Sequence, residues 1–391
     1  MLALARFGAD PLRFLDRLRG DDRDVVPFSL GPVHCHLLRR PEDLKAVLDD
    51  EDWPPLSRGR LMALDRWYGG GLILTEGAEH HRQRDELWKP LLADPRTPAI
   101  AAARAERLAA SWFEGAPVEL FGELRTLFWS IDWEALTGEA PAPEVLAAQA
   151  AGTDAMQWLL GPFGRARWGW PLPSSARTRA ARARLDAAID RVIAARRAQS
   201  ADDLVSRLVE REPDDGLVRA TVKQWLGADQ LHSLVTWTLY LLARHPEVRL
   251  DDPRRVIKES LRLYPPIWGF FREVTADYRL DGVTIPKGHV IALSQWVTHR
   301  DAKLWPDPER FNPDRWADGA PRPPDLSYFP FSAGPYECHA HRLVMSEAEV
   351  VLTTLSRRWS FRPADEHPPQ PSATGTIVPK GGLRMVPTAR S

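Results

Sequence analysis

The chain has 391 residues, 44% of them hydrophobic, with 52 basic and 53 acidic side chains and a formal net charge of −1. That balance excludes bulk electrostatic attraction to nucleic acid or to an anionic membrane. The two cysteines, Cys35 and Cys338, are too few for a disulfide scaffold or a multi-cysteine zinc or iron–sulfur site.

The apolar start of the chain is too short for a signal-peptide core or a bilayer span. The longest internal apolar run, around Leu234 to Ala243, reads as a buried core helix. A cytoplasmic protein with no membrane segment is therefore expected. Val33–Leu38 is strand-like, and Pro41–Leu48 is a helix with proline at its start and acids in its first turn. Gly69-Gly-Gly71 breaks the chain before a charged helix over Gly77–Leu92. Residues 98–215 carry Ala, Leu and Arg at helical spacing, interrupted near Pro141, Pro162 and Pro171-Leu-Pro173. One long helix is predicted over 219–244, ending at His245-Pro246. A second, from about Pro253 to Leu263, stops at Tyr264-Pro-Pro266. Short β pieces at 278–280 and 290–293 precede a proline-rich coil over 305–337, and a last helix runs from about His339 to Trp359. The order is mainly α with a small β portion that does not alternate with the helices, which argues against a Rossmann or barrel enzyme.

The segment Phe331-Ser-Ala-Gly-Pro-Tyr-Glu-Cys338 leads directly into that last helix. A thiol before a helix N-terminus faces unpaired N–H groups and the positive end of the dipole, which favour the thiolate. Gly334 permits a tight turn close to a flat partner. On the residues alone three uses stay open: a buried structural cysteine, a nucleophile with His339 or His341 as base, or a Cys-His-x-His metal cluster. In the last case the three groups splay at a helix start and no fourth ligand is evident.

The pattern Phe331-x-x-Gly334-x-x-x-Cys338 resembles the haem-binding loop of the cytochrome P450 superfamily. Glu259-Ser-Leu-Arg262 is similar to the family's Glu-x-x-Arg helix, whose two side chains share a face. Pro308-Glu-Arg-Phe311-Asn-Pro313-Asp-Arg315-Trp316 is similar to the coil whose arginine joins that pair. The resemblance covers about residues 25–390, with the motifs in the family's order. It implies the cytochrome P450 fold, one domain over 1–391, haem b as cofactor and Cys338 as iron ligand. It implies further that Glu259, Arg262 and Arg315 form a buried structural network, and that His80, Arg84 and Arg272 serve the haem propionates. Two loop positions depart from the family: Tyr336 stands where Arg or His is usual, and Ala340 where Gly is usual.

The stretch 219–244 resembles the distal helix. Gly227 and Asp229 fall on the family's Gly-x-acid positions, and Gln230 stands where the alcohol that helps deliver protons is usual. Ser233 and Thr236 share a face with Asp229, but Thr236 is about 10 Å along the axis from it. Asp229 and Gln230 are thus the expected proton-delivery residues. Candidate pocket residues are Met62, Trp67, Trp158, Phe163, Gly227, Ile267, Trp268 and Phe270. The implied activity is monooxygenation of an apolar secondary metabolite (terpenoid, aromatic or peptide-derived) with O2 and electrons from a ferredoxin and its reductase, by a monomer. Altered chemistry at Gln230 (coupling, desaturation, peroxide-driven oxidation or rearrangement) and an inactive binding module are the alternatives. The short span from His245 to Glu259 leaves room only for a turn where the family usually has another helix.

Overall fold

A computed structural model describes residues 2–49, 64–160, 173–227, 230–280, 282–373 and 375–390. Helices α1 (Leu2–Ala9) and α2 (Pro11–Arg19) precede strands β1 (Val25–Leu30) and β2 (Val33–Leu38) and helix α3 (Pro41–Leu48). Asp10 caps α2 by accepting from the Arg13 N–H at 2.9 Å, with Pro11 at the first helical position. Helix α4 comprises Gly77–Arg82, a π-helical turn at Gln83–Trp88, and Lys89–Leu92. The run predicted over 77–92 therefore forms. The extra residue per turn re-aims the side chains that follow Arg82, a device common at functional sites.

Next come α5 (Arg96–Ser111), β3 (Val118–Glu119), α6 (Leu120–Thr137), α7 (Pro143–Leu160), α8 (Pro173–Ala198) and α9 (Leu204–Arg211). The single helix predicted over 219–244 is in fact two, α10 (Asp215–Leu226) and α11 (Leu231–Arg244). Gly227 ends α10, and a Cβ there would lie 3.3 Å from Tyr68 Cζ. Helical bonding resumes where the Leu234 N–H donates to the Gln230 carbonyl at 3.0 Å. Hydrophobic periodicity misses the break because α11 is buried on every side from Leu231 to Leu241 and so offers no face whose phase could change.

Asp252 caps α12 (Pro253–Leu263), accepting from the Arg254 and Arg255 N–H groups at 3.0 and 3.3 Å. The span before it is a turn, as expected, closed by a 3.0 Å bond from Val248 N–H to the His245 carbonyl. Then follow β4 (Phe270–Glu273), β5 (Tyr278–Leu280), β6 (Val283–Ile285), β7 (Val290–Leu293), α13 (Gln295–Thr298) and α14 (His341–Arg358). The chain finishes with β8 (Trp359–Pro363), β9 (Pro371–Ala373), β10 (Ile377–Pro379) and β11 (Arg384–Ala389).

The main sheet has the order β1-β2-β7-β4, with β2 and β7 parallel and the other pairs antiparallel. A second sheet is β3-β11-β8, and β5-β6 and β9-β10 are hairpins. The largest core cluster joins α5, α6, α11, α12 and α14. Ala101, Ala105 and Ala109, spaced at i, i+4 and i+8, make a flat buried stripe on α5. Trp237 is fully buried and stacks on Tyr264 with ring centroids 4.0 Å apart. A second cluster joins α7 to α10 with residues 64–72 and α4. Among the described residues no helix is long and apolar enough to cross a membrane.

Candidate functional site

Cys338 closes a tight loop: its N–H donates to the Phe331 carbonyl at 2.8 Å, and its own carbonyl accepts from the His341 N–H at 3.2 Å. Gly334 in that loop has φ +70°. A Cβ there would lie 2.9 Å from the carbonyl carbon of Leu48, at the end of α3. Gly334→Ala should therefore cost about 1–3 kcal/mol of stability, read as a lower unfolding midpoint together with weaker cofactor retention.

Burial pushes the Cys338 thiol pKa up, although the Ala340 N–H bonded to the sulfur and the nearby Arg84 oppose this. The expectation of a depressed thiol pKa thus fails in the free chain, because desolvation outweighs the helix end. Yet Cys338 is only half-buried, as is every residue from Phe331 to His341. A desolvated thiol that keeps accessible surface borders a concavity and is not packed into the core. The two neighbouring imidazoles do not serve it. His339 lies edge-on to Trp88 at 4.7 Å, and burial beside Arg84 and His80 takes its pKa down to about 4. His341 contacts Glu337 Oε1 at 3.2 Å and the Cys338 carbonyl at 3.3 Å. No group of three or more metal-ligating side chains occurs among the described residues. The nucleophile–base and Cys-His-x-His uses are therefore not formed.

Helix α4 lies along the loop. The His80 ring is 4.8 Å from that of Tyr336, and His80 Nδ1 is 3.3 Å from the Leu72 carbonyl. Burial, with help from His81 and Arg84, holds the His80 pKa below the usual imidazole value. Arg84 donates to the Pro335 carbonyl at 2.6 Å. Arg272, on β4 and 1% exposed, donates to the Val47 carbonyl at 2.6 Å, one residue from where α3 meets Gly334. His80 and Arg84 thus touch the loop at Tyr336 and Pro335, while Arg272 holds the end of α3 that packs against Gly334. Ala340 is the N-cap residue of α14.

Glu259 and Arg262 are both 0% exposed and doubly bonded, Nε to Oε2 at 3.0 Å and Nη2 to Oε1 at 2.8 Å. Arg315 Nε reaches Glu259 Oε1 at 3.3 Å. Sequence reasoning assigned no role to two further donors, the Trp316 Nε1–H and the Asn312 N–H, each 3.0 Å from the same carboxylate. Arg262 also donates to the carbonyls of His299, Pro308 and Arg310 at 2.9, 2.6 and 3.0 Å. His299, held well below the usual imidazole pKa by burial and by Arg262 and Arg300, is neutral. Its Nε2 accepts from the Phe329 N–H at 3.0 Å, two residues before Phe331. The network is a continuous brace from α12 through the coil to the cysteine loop, of a kind kept for geometry more than for stability.

Gln230 is half-buried at the start of α11. Neither downstream hydroxyl replaces the missing alcohol. Ser233 donates to the Ile377 carbonyl, and Thr236 donates back to the His232 carbonyl at 2.6 Å. Phe270 sits edge-on to Phe329 at 6.5 Å, Ile267 is half-buried, and Trp268 lies in the main core. Trp67 is 2% exposed in the second core. Met62, Phe163 and Asp229 lie outside the described residues, as does the side chain of Trp158, which falls within α7.

Mainly helical, with a half-buried cysteine at the end of a loop that His80 and Arg84 contact, the molecule has the architecture of a haem-thiolate protein. The family described as Cytochrome P450 matches residues 254–386. The chain is 30% identical over 396 residues to cyclooctat-9-en-7-ol 5-monooxygenase of Streptomyces melanosporofaciens, covering 90% of this chain and 85% of that one. It is 27% identical over 427 residues to pentalenene oxygenase of Streptomyces avermitilis, covering 97% and 93%. Its fold is similar to that of a six-coordinated cytochrome P450 from Thermus thermophilus, with TM-score 0.79, 24% identity, and 97% and 99% of the two chains covered. The chain belongs to the cytochrome P450 family. It is an oxidoreductase of the monooxygenase type, with haem b as cofactor and O2, a small molecule and electron donors as partners.

Proposed function

We propose that this enzyme oxygenates a cyclic terpenoid hydrocarbon or its monohydroxylated derivative. The observation that carries the haem-enzyme part of the reading is the half-buried, desolvated thiol of Cys338 at the end of a loop contacted by α3 and α4. Support for the substrate class comes from relatives named for pentalenene and cyclooctat-9-en-7-ol. Cys338 would hold the haem iron, and His80, Arg84, Arg272 and Tyr336 its propionates. Phe331, Gly334 and Ala340 would shape the loop against the ring. Bound there, haem supplies dioxygen activation, which a thiolate ligand promotes.

The chain's own share is to orient the substrate, exclude water and move protons. Gln230 offers both a donor and an acceptor, so its carboxamide can fix a water at the helix break; it cannot relay a proton as a hydroxyl does. Asp229 would supply the acid. Electrons would come from a ferredoxin and its reductase, and the enzyme would work as a monomeric single domain in the cytoplasm. A second reading, an outcome other than hydroxylation, is favoured by Gln230 together with the engaged hydroxyls of Ser233 and Thr236.

The test is binding and turnover of pentalenene and of a polar control, with O2 and a ferredoxin system. Expected are a haem spectral shift and an oxygenated product for pentalenene alone. Gln230→Thr should raise the fraction of electrons that appear in product. No shift with any terpenoid, or an unchanged product ratio in the variant, contradicts the reading.

A further inference from the structure

Only a turn joins α11 to α12, and a cavity of about 200 Å³ lies where the two helices end. Tyr240 and Arg244 line it from the end of α11, Tyr264 from the end of α12, and Arg300 and Glu309 from the chain that follows α13. Arg300 is 4% exposed, and burial takes its pKa down to about 10. Its Nη2 donates to the Leu263 carbonyl, and its Cζ lies 3.5 Å from the centre of the Trp296 ring. Its Nη1 is buried with no hydrogen-bond partner, a costly state until an acceptor reaches it. Glu309, the one carboxylate of the lining, is already engaged by Arg19 Nη1 at 2.6 Å and Arg300 Nε at 3.3 Å. Arg244 is exposed and makes no ion pair among the described residues. Burial pushes the pKa of both phenols up, so Tyr240 and Tyr264 stay protonated, and neither hydroxyl has a hydrogen-bond partner among the described residues. His245, also in the lining, is turned to Glu247 Oε1 at 3.1 Å.

We infer that this cavity binds a small oxyanion, a phosphate or a short carboxylate, which ties the ends of α11 and α12 together. The lining offers donors from two guanidinium groups and two phenols, and its carboxylate is already neutralised. Guanidinium groups and hydroxyls are the partners that carboxylate and phosphate oxygens take in charge-assisted hydrogen bonds. A cation would meet the charges of Arg244 and Arg300, and an apolar ligand would leave the phenols and Nη1 without acceptors. The occupant would rest on a rigid floor. The Tyr264 ring stacks on Trp237 of α11 at 4.0 Å, and the Trp237 Nε1–H donates to the Ile377 carbonyl on β10 at 3.2 Å. The inference does not depend on the haem-enzyme reading.

The test is calorimetric titration of the haem-loaded protein with inorganic phosphate and, in a second arm, with sodium succinate, chloride holding the ionic strength constant. Expected is one saturable site per chain with a dissociation constant at or below about 1 mM for at least one of the two anions, the tighter one naming the source. Arg244→Gln changes an exposed residue and should weaken binding on the order of tenfold, the loss of a charged donor. Tyr240→Phe should weaken it about threefold, the loss of a neutral one. Arg279→Gln, at an exposed position on β5, should leave it unchanged. The bound anion should also slow hydrogen exchange over residues 240–250 while α5 keeps its rates. No saturable binding of either anion overturns the inference. So does binding that Arg244→Gln and Tyr240→Phe both leave intact, which would place the anion elsewhere on the surface.

Discussion

Glu259→Ala should destabilise the protein by about 3–5 kcal/mol, because it leaves the Arg262 guanidinium buried without its counter-charge. Both side chains have no solvent exposure, and the carboxylate holds donors from Arg262, Arg315, Trp316 and Asn312. That loss is a large fraction of the roughly 5–15 kcal/mol that keeps a typical domain folded. Arg262 also fixes two carbonyls of the coil, Pro308 and Arg310, and that of His299 at the end of α13, so the coil should loosen with it. Urea unfolding of the holoprotein, with haem release followed in parallel, measures both effects. Arg315→Lys is the control: it keeps a positive charge beside Glu259 and loses the second arm to the Asp307 carbonyl, so it should cost less than Glu259→Ala. A loss below about 1 kcal/mol for Glu259→Ala would mean that the network does not brace the loop.

Cys338→Ser should abolish monooxygenase turnover while leaving the fold standing. The residue is half-buried, so replacing sulfur by oxygen should cost less than about 1 kcal/mol of stability. A serine hydroxyl does not ionise near neutral pH and is a poor ligand for iron. Neither His339 nor His341 stands ready to replace the sulfur, since one ring faces Trp88 and the other Glu337. Expected are a native far-ultraviolet dichroism spectrum, reduced haem content and turnover at background. Turnover retained in the serine variant would exclude thiolate-dependent chemistry.

Several parts of this arrangement were legible in the sequence. The Cys338 loop, the Glu259–Arg262 pair and Arg315 stand at motif positions, and the structure joins Glu259 to Arg315 across the coil. His80 and Arg84 were legible through their resemblance to the family's His-x-x-x-Arg pattern, and both touch the loop. What stayed hidden depends on contacts distant in sequence. The break after Gly227 is tied to Tyr68, and the π turn at Gln83–Trp88 leaves hydrophobic periodicity almost intact. Trp316 and Asn312 each give Glu259 a single N–H, and a lone donor leaves no pattern to read. The direction of the Cys338 pKa depended likewise on desolvation, which spacing does not encode.

The most direct test is the absorption spectrum of the reduced, haem-loaded protein under carbon monoxide. Ligation by the Cys338 thiolate predicts the red-shifted Soret band for which the family is named, absent in Cys338→Ser. A wild-type band at the position of an imidazole-ligated haem, or protein that takes up no haem, would contradict it.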